Sequence, residues 1–290
     1  MKLLMSLVLL LSQIGLVSAE TNKQRAEQLK GKEPKQAAVL FAKWLKAEPK
    51  NLDLLLLKAG YYLNKSRKVE APKKSATGKQ SQQPMMPAKV SYDQGLSKVA
   101  LEAYTKALAM APDRLDIYFG LALANQHLGQ FDAQFKNLQA ALKLYKEKPK
   151  TVKWYDGKPL QNAVDVLPRV MLQYMDHYQY QGSKQADERF LKIAKLTLDT
   201  FPDNIFSLNS LGGYYFGKKE FNKALTYLKK AHGIDRSDCV VLGNIAGVYL
   251  AQKDKNNATT TLKQIVSSCK NQAIVKQAKA DLEMLSKMKK

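Results

Sequence analysis

Two stretches near the C-terminus decide how the chain folds: residues 205–234, IFSLNSLGGYYFGKKEFNKALTYLKKAHGI, and residues 239–268, CVVLGNIAGVYLAQKDKNNATTTLKQIVSS. Shifted by 34 positions, Leu208, Leu211, Gly212, Tyr215, Ala224 and Leu228 fall on Leu242, Ile245, Ala246, Tyr249, Ala258 and Leu262. Each stretch reads as two amphipathic helices, Ile205–Phe216 then Asn222–His232, and Val240–Ala251 then Ala258–Cys269. Small residues (Gly212, Ala246, Ala224, Ala258) stand where two helices of a hairpin must approach closely. Leu211, Tyr215 and Leu228 fill the space beside them at spacings of 3 and 4. Gly217 suits a helix C-cap, because glycine accepts the left-handed conformation at low cost.

This pattern resembles the tetratricopeptide repeat: a bulky residue, Leu-Gly, Tyr, then an Ala-x3-bulky-x2-Ala second helix. Leu208, Leu211-Gly212, Tyr215, Ala224, Leu228 and Ala231 carry it, and the next unit repeats it with Ala246 for Gly and Ile265 for the last Ala. Weaker units precede them. Tyr118, Leu121-Ala122, Gly129-Gln130-Phe131, Leu138 and Ala141 form one, with Asn125 in place of Tyr. Ala100, Tyr104 and Ala107 give a second helix whose first is Leu54–Leu63. Ala37, Phe41 and Trp44 give another, paired with Lys23–Leu29, and Tyr174–Tyr180 with Phe190 and Ala194 make a degenerate unit.

The resemblance implies an all-α fold, a right-handed α-solenoid of about five helix hairpins. Ile274, Ala278, Leu282 and Leu285 form one apolar stripe, as a terminal capping helix requires.

Two insertions interrupt the array. Lys65–Lys89 has no aromatic residue, three Pro, and seven cations against Glu70. Such composition buries too little surface to offset its ordering entropy, so the segment is expected to be disordered. The second insertion contains Trp154-Tyr155-Asp156-Gly157-Lys158-Pro159, where aromatics beside an Asp-Gly turn point to an ordered, packed loop. Pro168 is expected in the first turn of the helix that follows. The chain then divides into a leader (1–19), N-terminal repeat helices (20–64), a basic insertion (65–90), repeats (91–146), an inserted loop (147–168), and repeats with the capping helix (169–290).

The leader has Met1 and Lys2 before an apolar run from Leu3 to Leu11, then Val17-Ser18-Ala19. This reads as a secretory signal with cleavage expected between Ala19 and Glu20, the alternative being an uncleaved anchor, and it predicts an exported protein, periplasmic in a Gram-negative host and otherwise secreted. In a eukaryotic host the sequons at Asn64 and Asn257 would become relevant.

The chain of 290 residues carries 47 Lys+Arg against 25 Asp+Glu, a net charge of +22. Only six of the cations are Arg, which argues against specific nucleic-acid recognition, where the bidentate guanidinium dominates. An anionic envelope polymer or membrane surface fits the lysines, and so does a merely solvated surface. His127, His177 and His232 are widely spaced, and G-x-S-x-G, phosphate-loop and H-E-x-x-H motifs are absent. No enzyme, metal or cofactor is expected, an unrecognised catalytic constellation being the third reading.

The resemblance further implies that first helices line a groove for a protein or peptide partner. Unit by unit, this places Phe119, Leu123, His127, Phe206, Asn209, Gly213, Phe216, Val240, Gly243, Gly247 and Leu250 toward that groove. Asn209 matches part of the Lys/Asn carboxylate clamp of one family subset, but Gly213 and Gly247 stand where that subset needs polar side chains. Cys239 and Cys269 fall at the same end of an antiparallel hairpin. They either form a disulfide in an oxidising compartment or remain two separate semi-buried thiols.

Overall fold

The computed structural model describes residues 19–70, 89–179 and 181–287. The helices among them are α1 (Ala19–Leu29), α2 (Pro34–Ala47), α3 (Leu52–Ser66), α4 (Gln94–Met110), α5 (Leu115–His127), α6 (Phe131–Glu147), α7 (Ala163–Gln179), α8 (Lys184–Thr200), α9 (Ile205–Gly217), α10 (Phe221–Ile234), α11 (Cys239–Ala251), α12 (Lys255–Ser268) and α13 (Gln272–Lys287). A two-stranded ribbon, β1 (Arg67–Glu70) and β2 (Lys89–Tyr92), completes the set. The fold is all-α, with five closely packed hairpins, α3/α4 to α11/α12, in line with the expected about five; α1 and α2 precede them, each against α3, and α13 follows. Residues 1–18, which hold most of the expected leader, lie outside the described residues.

Polar caps fix where the helices begin. The side chains of Asn51, Asp93, Ser183, Asn204, Asp238 and Asp254 each accept a backbone N–H from the first turn of the helix they precede. These are the residue types that satisfy the orphan donors of a helix start. The 34-residue period is exact in the backbone: α9 and α11 are both 13 residues long, with Ile205 answered by Cys239 and Gly217 by Ala251.

Four of the hairpins turn through a residue with positive φ, Gly129, Gly182, Lys219 (59°) or Lys253 (60°), and Gly31 does the same between α1 and α2. The left-handed turn after α9 therefore falls on Lys219, not on Gly217, which remains helical. Two residues must leave the helix before the chain can reverse into α10. A left-handed conformation costs a residue with a Cβ about 1–2 kcal/mol, partly offset in glycine by its looser unfolded chain. Lys219→Gly should therefore raise stability by roughly 0.5–1 kcal/mol. A urea midpoint that rises at constant slope would show it; a falling midpoint would contradict the strain.

The chain divides into two compact units at Gln161/Asn162. In the first, Phe41, Leu54, Ala100, Tyr104, Ala107 and Ile117 form the core. Gly120 is obligatory there, since a Cβ would lie 2.5 Å from the buried Tyr104 ring. In the second, Leu208, Leu228, Leu242, Ile245, Leu262 and Ala278 do the same.

Two boundaries differ from expectation. The ends of the basic insertion are ordered: Lys65 and Ser66 finish α3, Arg67 pairs with Tyr92, Val69 with Val90 and Glu70 with Lys89. Chain leaving α3 and entering α4 is necessarily close together, so an antiparallel ladder satisfies its backbone groups. The expected disorder is thus wrong for these ends, and residues 71–88 lie outside the described residues. Pro168 is also misplaced, since α7 begins at Ala163 and Pro168 stands inside it. The stripe Ala163, Leu167, Val170, Met171 and Tyr174 is buried, and that burial outweighs the hydrogen bond lost at proline.

Candidate interaction face

In the last two hairpins, α9/α10 and α11/α12, small residues stand at the helix contact. A Cβ on Gly212 would lie 2.5 Å from Leu228 Cγ, while Ala224, Ala246 and Ala258 are almost wholly buried. One period on, Ala246 and Leu262 hold the corresponding positions in the same core. These hairpins have the arrangement that the resemblance to the tetratricopeptide repeat implies.

First helices of adjacent repeats, α7, α9 and α11, pack side by side. Two parallel stripes result. On α9 run Phe206, Asn209, Gly213 and Phe216; on α11 run Val240, Gly243, Gly247 and Leu250. Asn244 Nδ2 donates to Asn209 Oδ1 at 2.7 Å and ties the stripes together. Phe206 and Phe216 are each 39% exposed and Val240 55% exposed. The Arg169 guanidinium lies 4.3 Å over the Phe206 ring, which fixes that ring and brings the one charge among these residues. The Phe216 ring is tilted by 46° to that of Phe221, with centroids 6.1 Å apart.

Between the aromatics the surface is bare backbone. No atom lies within 4 Å of where a Cβ on Gly243 or Gly247 would be, and near Gly213 there is only Gln179 Nε2 at 3.8 Å. Leu250 is half-buried against the last core. The arrangement offers two apolar anchors beside a trough in which another main chain can approach closely. Asn244 and Arg169 were not singled out from sequence. A polar residue inside the apolar run CVVLGNIAGVYLA was the available signal for Asn244.

The three residues expected in the groove from α5 do not line an open surface. Phe119 is 2% exposed and packs edge-on against Trp154 at 5.9 Å. Leu123 packs on the core of the first unit. His127 is 5% exposed, its ring stacked on Tyr92 at 3.9 Å and its Nδ1 2.9 Å from Ser66 Oγ. Because Ser66 gives its own hydrogen to Leu63 O, Nδ1 is the donor in that pair. The ribbon and the inserted loop cover what the repeat pattern alone would expose. His177, on α7, is likewise withdrawn from solvent: burial and nearby Arg189 hold its imidazole down at about 4, so it is uncharged at neutral pH.

Cys239 opens α11 and Cys269 caps α12; the two are joined, with Cα atoms 5.8 Å apart. Among the described residues no group of His, Cys, Asp and Glu could hold a metal ion, and no helix is long and apolar enough to cross a membrane.

No family model and no curated protein matches the chain. Solved structures do resemble it. A tetratricopeptide repeat protein from Parabacteroides merdae is 15% identical over 96% of this chain and 84% of its own, with a TM-score of 0.38. A thermophilic repeat protein from Thermus thermophilus is 18% identical over 65% of this chain and 92% of its own, TM-score 0.38. YrrB, a TPR protein with an unusual peptide-binding site, is 12% identical over 64% of this chain and 84% of its own, TM-score 0.40.

Proposed function

We propose that the protein is an exported scaffold that binds an extended polypeptide segment along the α9–α11 face. The observation that carries this reading is the pairing of two partly exposed phenylalanines with the open backbone at Gly243 and Gly247. Aromatic anchors give contact area at little entropic cost, and glycines admit a partner's main chain. Export is supported by Val17-Ser18-Ala19 before Glu20 and by a disulfide that needs an oxidising compartment; a mature chain beginning at Met1 would remove it. A role in cell-envelope assembly or maintenance follows from that address.

Peptides selected from a random display library on the folded protein should lose about 1–3 kcal/mol of affinity with Phe216→Ala while its helical content is kept. Gly247→Leu should also weaken binding, by filling the trough. Lys229→Glu, on an exposed position of α10, should not. Unchanged affinity in Phe216→Ala, or unfolding with binding preserved in the folded fraction, would move the site elsewhere. The net charge of +22 favours a second reading, a tether to an anionic polymer or membrane surface acting through the lysines. Binding that collapses between low and high salt, and that survives Phe216→Ala, would select it.

A further inference from the structure

The first helix α5 holds the same place in its repeat as α9 does in its own. Gly129 follows α5 as Lys219 follows α9, both with positive φ, and both helices are 13 residues long. Asp116, Phe119, Leu123 and Gln126 therefore occupy the positions of Phe206, Asn209, Gly213 and Phe216. On α9 those positions are open or partly so; on α5, Asp116, Phe119 and Gln126 are all buried.

Asp116 and Phe119 are met by a segment of the same chain, extended at residues 152–154, whereas Gln126 accepts from Gln134 Nε2 at 2.9 Å. Lys153 N–H donates to Asp113 O and Leu115 N–H donates to Lys153 O, both at 3.0 Å, a strand-like exchange with the chain entering α5. The Arg114 guanidinium, held by Asp116, donates to Tyr155 O at 2.8 Å. Trp154 sets its edge on Phe119, and Val152 is 1% exposed. The segment then reverses at Asp156-Gly157, where Gly157 has φ 74° and Trp154 N–H returns to Lys158 O. Main-chain pairing, an aromatic on an aromatic and a carbonyl captured by a guanidinium are the elements by which a groove holds a peptide.

We infer that residues 148–161 are a built-in ligand: they fill the α5 face as a partner peptide would, and close it to partners from outside. This shares with the proposed function only the premise that first-helix faces take chain segments, and it is tested without any outside partner.

The full-length protein with residues 150–160 replaced by glycine and serine in equal number is titrated with a labelled synthetic peptide of residues 148–161. Saturable binding is expected, at least tenfold tighter than to the unaltered protein, whose face is occupied, and at least tenfold weaker when Phe119→Ala is added. Binding absent from the folded replacement variant, or equal in the unaltered protein, would overturn the inference. Should the replacement fail to fold, hydrogen exchange on the unaltered protein decides. The Lys153 and Leu115 amides should be protected to within tenfold of the central α5 amides; exchange as fast as in an unstructured chain would show that nothing is held there. Loss of peptide binding at α9–α11 alone would refute the proposed function and leave this inference standing.

Discussion

Asp116→Ala is expected to destabilise the N-terminal unit by about 3–5 kcal/mol, more than any other single substitution considered for this protein. Arg114 Nε and Nη2 donate to the two carboxylate oxygens of Asp116 at 2.8 and 2.6 Å, and the two side chains are only 4% and 7% exposed. Burial pushes the Asp116 carboxyl up and the guanidinium beside it pulls it down. Removing the carboxylate leaves a guanidinium that cannot shed its proton, dry except for Tyr155 O and the more distant field of Asp53 and Asp156. The cost arises from that stranded charge rather than from the worth of the pair, so replacing both partners by apolar residues, Arg114→Met with Asp116→Leu, should recover most of it. Urea unfolding of the three proteins checks both statements. A single substitution costing less than about 1 kcal/mol would mean that water reaches the pair.

The second large effect belongs to the other unit. Cys239 and Cys269 close a loop with a sequence separation of 30, for which the chain-entropy model gives roughly 3.5 kcal/mol of stabilisation. Cys239→Ser with Cys269→Ser, or reduction of the unaltered protein, should therefore lower the unfolding transition of the C-terminal unit by that order and leave the other unit's transition in place. Thiol titration of the unreduced, denatured protein should detect no free thiol. Two free thiols would abolish the prediction.

Most of the helical organisation was legible because it is local and repeated. Gly212 against Leu228, and Ala246 in the same place one period on, disclose the hairpin contact from spacing alone, and the stripe from Ile274 to Leu285 discloses α13. The errors come from elements outside the period. Nothing local to Phe119 or His127 shows that Trp154 and Tyr92, 35 residues away in each case, lie on them. Pro168 was read by its own backbone preference, which the burial of Leu167, Val170 and Met171 overrules. Gly217 was read the same way, although the turn needs its left-handed residue two positions later. On the candidate face, the stripes of α9 and α11 follow directly from the period. The bridge from Asn244 to Asn209 does not, because it depends on how adjacent first helices are turned toward each other.

The ribbon between α3 and α4 has a consequence for how this protein can change over generations. Four hairpins reverse through a single left-handed residue, and lengthening any of those turns would shift where the next helix begins. At the remaining hairpin, Glu70 and Lys89 face each other across the ladder, so whatever joins them begins and ends at one point. Chain added between two such fixed ends costs only closure entropy, about 0.6 kcal/mol for each doubling of length. The neck thus insulates the repeats from the length of what joins its two ends, and makes this a place where inserted sequence, or an entire grafted domain with adjacent termini, can be acquired and lost at little cost to the fold.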